Sequence, residues 1–180
     1  MNQTNKKDFR ILAIAPSYRG FGFVVLEGQD SLVEASDKTV KGDKNAQSLR
    51  KVDELIARYQ PGVLVLENTS AKNSRRWPRI QALCKQIISH TVARKVTVKL
   101  YSREQVMKIF LPDGQGTKHD LAQIMAKRFP EQLGPKLPPK RKFYMNEDPR
   151  MAIFDAVALA MVFRMKTNKN MRHAEHLKKE

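Results

Sequence analysis

Val63-Leu64-Val65-Leu66-Glu67 is an unbroken apolar run that ends on an acid, with Pro61-Gly62 in front of it. So short a run, set off by helix-breaking residues, reads as a strand. Without polar alternation, the strand must be covered on both faces, as in a parallel sheet dressed with helices. The chain just upstream agrees, because Leu49, Val52, Leu55, Ile56 and Tyr59 recur at helical spacing until Pro61-Gly62 stops them.

Working outward, Phe9 to Ala15 reads as a buried opening strand stopped by Pro16. Gly20 to Glu27 is a second strand with Phe21, Phe23 and Val25 at period two. A turn at Gly28-Gln29-Asp30 leads to a third strand, Ser31 to Val40. Short connections make these three an antiparallel meander. Beyond Glu67, a second helix is expected from about Ser74 to Arg94, with Trp77, Ile80, Leu83, Cys84, Ile87 and Ile88 on its core side. Val96 to Tyr101 is the fifth strand. Capping boxes at Ser102-x-x-Gln105 and Thr117-x-x-Asp120 start two short helices. Leu133 to Tyr144, rich in proline, lysine and arginine, is expected to be a loop. Asp148-Pro149 resembles an N-cap followed by proline, opening a last helix that should end near Met165. The expected organisation is one domain over 1–165 and a polar, flexible tail over 166–180. The fold class is α/β: a mixed five-stranded sheet, three antiparallel strands and then parallel strands, with helices on both faces. Ligand chemistry in such sheets gathers beyond the carboxyl ends of the parallel strands. Ala15-Pro16 and Glu67-Asn68 are two such ends.

Glu67 has a counterpart downstream. Asp155 is the only charge between Arg150 and Arg164, inside Met151-Ala-Ile-Phe-Asp-Ala-Val-Ala-Leu-Ala-Met-Val-Phe163. An ionised carboxylate buried without a partner costs several kcal/mol, so each acid needs a metal ion or a basic or amide partner. Asp148 lies two helical turns before Asp155 on nearly the same face and is either an additional ligand or the N-cap of the last helix. Asp120 fits its capping box first and a site second. His119 is a surface histidine, with a general base or phosphate contact as the alternative. His173 and His176 have metal-like spacing but no third ligand nearby.

Composition sets the partners. The net charge is +16. Residues 68–145 hold seventeen Lys/Arg against four Asp/Glu, whereas residues 1–67 are nearly balanced at ten against nine. So localised a basic field is the electrostatic footprint of a nucleic-acid binder. The polar stretch Met1 to Asp8 lacks a signal-peptide apolar core, and no run approaches a membrane span, so a soluble cytoplasmic protein is expected. A single cysteine, Cys84, excludes an internal disulfide framework and reads as a small core residue.

The basic residues fall in clusters. Lys72, Arg75, Arg76 and Arg79 open the second helix, where positive charge opposes the helix dipole and phosphate would relieve it. Trp77 sits among them; its register favours the core over stacking on a base. Lys136, Lys140, Arg141 and Lys142 share a proline-stiffened loop with Phe143 and Tyr144. Arg19 and Lys118 lie near the strand ends.

Taken together, Ile11-Leu-Ala-Ile-Ala-Pro-Ser-Tyr-Arg19, Val63-Leu-Val-Leu-Glu67 and Phe154-Asp-Ala-Val-Ala-Leu-Ala160 resemble, in order and spacing, the RuvC family of Holliday junction resolvases, which has the ribonuclease H-like fold. The likeness spans about residues 9–163. It implies a symmetric homodimer that acts on branched DNA and hydrolyses phosphodiester bonds with paired Mg²⁺ or Mn²⁺. Glu67 and Asp155 match metal-binding positions of the family, with Asp148 as a candidate third acid. Ala15 and Ala152 stand where the family has carboxylates. The resemblance therefore implies a DNA binder with a depleted metal site. The alternatives are an active endonuclease using Glu67 and Asp155, or a non-catalytic assembly factor on RNA or ribonucleoprotein.

Overall fold

The computed structural model describes residues 9–29 and 31–177, with side chains described up to residue 170. The turn position Asp30 and the polar start Met1 to Asp8 lie outside the described residues, as do the side chains of His173 and His176.

Five strands form one sheet: β1 (Arg10–Pro16), β2 (Gly20–Glu27), β3 (Ser31–Thr39), β4 (Val63–Glu67) and β5 (Thr97–Tyr101). Their order across the sheet is β3-β2-β1-β4-β5. β1, β2 and β3 pair antiparallel, whereas β4 is parallel to both β1 and β5. This is the expected mixed sheet.

Side chains alternate across a strand, and here the two parities meet different helices. Leu12, Ile14, Phe21, Phe23, Leu64 and Leu66 pack with residues of α1 (Lys44–Tyr59) and α2 (Pro78–Ala93). Ile11, Ala13, Ala15, Val24, Val63 and Val65 pack on the other side, under α3 (Arg103–Phe110), α4 (Lys118–Arg128) and α6 (Met151–Leu177). A short α5 (Pro130–Leu133) follows α4. Cys84 is buried among the first set, as expected.

α6 is apolar all round over its first turns because it is covered all round. From Met151 to Val162 every residue is buried except Asp155. It lies tightly on the sheet where side chains are smallest: a Cβ added to Gly22 would stand 2.2 Å from the carbonyl carbon and oxygen of Ala152. Gly22 is also the register partner of Ala15.

Three local expectations are corrected. α2 begins at Pro78 rather than Ser74, because the residue before a proline is held out of the helical region; Trp77 is extended at φ −61°, ψ 147°. Trp77 thereby leaves the register with Ile80 and Cys84 and is 76% exposed instead of joining the core. The last helix continues to Leu177, past Met165, since residues 164–177 contain neither proline nor glycine. Lys166 lies 4.8 Å from the centre of the Tyr101 ring, tying that continuation to the end of β5.

Candidate functional site

Parity and register bring the acids together. The last register pair of the parallel β1–β4 ladder is Ile14 with Leu66, so Ala15 and Glu67 follow side by side at the strand ends. Glu67 has the parity of Val63 and Val65 and therefore points to the α6 side. Asp155 enters from α6. The two carboxylates line one small pocket with Arg76, Arg103, Val106, Met107, Leu121 and Leu159.

Each acid is already paired. Arg76 donates from Nε to Glu67 Oε2 at 2.8 Å, and its Nη2 reaches the same oxygen. Lys118 Nζ stands 3.1 Å from Asp155 Oδ2 and 2.9 Å from Glu147 Oε1. Burial works to lower the Arg76 pKa, but its hydrogen bond to Glu67, the charge of Glu67 and that of Asp155 outweigh it, leaving the guanidinium above its usual range. Among the residues packed with α1 and α2, burial first and the Glu67 charge second push the Cys84 thiol up to about 12.

Asp148 does not line that pocket. Its Oδ1 accepts the Arg150 backbone N–H at 2.9 Å, and its carboxylate pairs with the Arg150 guanidinium at 2.7 Å. It caps the turn that enters α6, and the Arg150 bond, with Arg19 farther off, holds its pKa below the usual range despite partial burial. Asp120 closes the α4 capping box with Thr117. His119 Nε2 donates to the Pro138 carbonyl at 3.0 Å.

Hard divalent cations need several oxygen ligands in one place. Among the described residues, no group of three or more His, Cys, Asp or Glu side chains is gathered to hold an ion. Ala15 and Ala152 are packed at 1% and 4% exposure beside the Gly22 contact. Glu67 and Asp155, the two acids in the pocket, are each held by a cationic side chain.

The basic residues divide into engaged and exposed sets. Besides Arg76 and Lys118, Arg79 is engaged with Asn45 Oδ1 at 3.0 Å and the Ser17 carbonyl at 3.2 Å, and Lys136 Nζ donates to the Ala35 carbonyl. Arg19, Lys72, Arg75, Lys140, Arg141 and Lys142 are exposed. Lys72 and Arg75 lie in the loop before α2 rather than on its first turn, so the helix-dipole argument does not apply to them. Arg103 and Glu147 were not singled out by sequence. The signal for Arg103 was the register of β5: Tyr101 pairs with Glu67, so the first residues beyond it open onto the same pocket.

No protein-family model matches the sequence, and no curated protein is similar to it. Solved structures are similar in fold. RuvC of Thermus thermophilus superposes with a TM-score of 0.65 at 16% identity, covering 90% of this chain and 97% of that one. The fold is RuvC-like. The T. thermophilus RuvC structure in complex with Holliday junction substrate gives a TM-score of 0.63 at 16% identity over 88% of this chain and 97% of that one. The yeast mitochondrial Holliday junction resolvase Ydc2 gives 0.61 at 12% identity over 94% of this chain and 85% of that one. The RuvC-like fold thus accounts for the sheet order. No helix among the described residues is long and apolar enough to cross a membrane.

Proposed function

We propose that this protein binds branched DNA through a RuvC-like scaffold and does not cleave it by two-metal hydrolysis. The observation that carries this reading is the pairing of Glu67 with Arg76 and of Asp155 with Lys118 within one pocket neighbourhood. In the depleted site, fixed ammonium and guanidinium groups supply the charge compensation that divalent ions would otherwise provide. The exposed cations Arg19, Lys72, Arg75, Lys140, Arg141 and Lys142 supply phosphate contacts, and the +16 net charge draws the polyanion in.

The experiment measures affinity for a four-way DNA junction, a linear duplex and a structured RNA across a salt series, each with and without Mg²⁺ or Mn²⁺. The expected result is junction binding that weakens steeply with salt, persists in EDTA and leaves every strand intact. A second reading, an endonuclease using Glu67 and Asp155, is favoured by their shared pocket. Strand cleavage in Mn²⁺ that Glu67→Gln abolishes would establish it instead. Tighter binding to the RNA would move the assignment to an RNA or ribonucleoprotein assembly factor.

A further inference from the structure

We infer that residues 140–146 form a stacking arm that takes up unpaired nucleobases, with the rings of Phe143 and Tyr144 as its contact surface. The inference rests on the nucleic-acid reading above and adds the kind of structure that is recognised.

The Met145 N–H donates to the Lys142 carbonyl at 3.0 Å, closing a turn whose two central residues are Phe143 and Tyr144. Turn centres favour glycine, proline, asparagine, aspartate and serine, so local backbone chemistry does not call for two aromatics there. Packing does not call for them either. Phe143 is 94% exposed and Tyr144 69%. Their rings meet edge to face, with centroids 5.6 Å apart and planes at 85°, so ring faces stay open to a flat partner.

The arm is anchored at its root. Pro138 accepts from His119, and Glu147 is held by Lys118, which also reaches Asp155. The rings therefore project from a fixed base joined to the acid pocket, which reduces the ordering cost of binding. Lys140, Arg141 and Lys142 directly precede the rings, and there is no acid from Gln132 to Asn146. Cations that follow a phosphate backbone, followed by rings that stack on bases, are the combination that binds single-stranded nucleic acid without reading its sequence. An apolar pocket on a protein would also accept the rings, but it would have to desolvate three adjacent cations without compensation. The charge favours nucleic acid.

The test compares two four-way DNA junctions that differ only in two unpaired thymines placed at the branch point. The wild-type protein should bind the unpaired junction about tenfold more tightly, the size expected for stacking on one or two bases. Phe143→Ala with Tyr144→Ala should abolish that preference, leave affinity for the fully paired junction nearly unchanged and leave Tm unchanged, since both rings are exposed. Phe143→Tyr should keep the preference. Changing Lys140, Arg141 and Lys142 to Ala should weaken both junctions alike and preserve their ratio. Equal wild-type affinity for the two junctions, or a ratio that survives loss of both rings, overturns the arm while leaving junction binding intact. A wild-type protein that binds neither junction at low salt overturns the functional reading, and the arm with it.

Discussion

Arg76 delivers both its Nε and its Nη2 hydrogen to a single oxygen, Glu67 Oε2, the Nε contact being 2.8 Å. The side chains are only 23% and 13% exposed, so the pair is largely withdrawn from water at the end of β4. An acid in that position needs its partner more than the fold needs the pair, because removing one member strands the other charge. Arg76→Ala is expected to cost about 3 kcal/mol of unfolding free energy. Glu67→Gln in the same background should recover a large part, since it removes the stranded charge. Urea unfolding of the two single variants and the double variant checks this; strictly additive losses would show that the residues act independently.

The close approach of α6 to the sheet predicts a different kind of failure. A Cβ at Gly22 would meet the backbone of Ala152, not a side chain that could swing aside. Gly22→Ala must therefore lift the helix that carries Asp155, and the expected loss is about 2 kcal/mol or more. Gly62→Ala is an instructive comparison, because its Cβ would meet the ring of Phe9, a side chain that is 42% exposed and free to move. Thermal unfolding should rank Gly22→Ala well below Gly62→Ala, and equal Tm values would contradict the tight crossing.

The two sets of cations should separate in salt-dependent binding. Lys72, Arg75, Lys140, Arg141 and Lys142 are exposed, whereas Arg79 is occupied by Asn45 and the Ser17 carbonyl. Removing one phosphate-binding cation should reduce the slope of log K against log salt by about 0.9 on duplex DNA. Replacing Lys140, Arg141 and Lys142 by alanine should flatten that slope by about 2 to 3. Arg79→Ala should leave the slope unchanged and lower stability instead. Fluorescence anisotropy over a range of salt concentrations distinguishes these outcomes, and a slope change at Arg79 alone would reverse the assignment.

What could be read from the residues was set by periodicity and punctuation. The apolar run Val63–Leu66 and the alternation in Gly20–Glu27 fixed strand type and placed β4 inside the sheet, and both capping boxes lie where their spacing put them. A strand-end position and an isolated charge on an apolar helix marked Glu67 and Asp155 as acids in need of a partner, and it was the resemblance of their motifs to the RuvC family that implied the shared pocket they line. Their partners did not follow. Arg76 reaches back over nine residues and Lys118 across two elements, and such distances are set by loop geometry rather than by a repeat. Trp77 misled for a related reason: helical register was extended backwards through Pro78, which ends it. The exposure of Phe143 and Tyr144 left no periodic signal at all.

Cys84 tests how tightly the core between β4 and α2 is closed to water. Burial first, and the Glu67 charge second, push its thiol from an ordinary 9.0 up to about 12. A raised pKa means that the folded state favours the protonated thiol. The resulting stabilisation is fully present below about pH 9 and is lost as pH rises toward 12. Thiol reagents at pH 8 should label the native protein no faster than it unfolds, because the thiolate that reacts is suppressed and covered. Wild-type stability should fall between pH 9 and pH 11 by more than that of Cys84→Ala, which lacks the titrating group though it carries a small cavity cost at every pH. Parallel pH curves for the two proteins, or rapid labelling of the native state, would mean that water and charge reach β4 and α2 more freely than the packing of Leu66, Leu83 and Ile87 around this thiol allows.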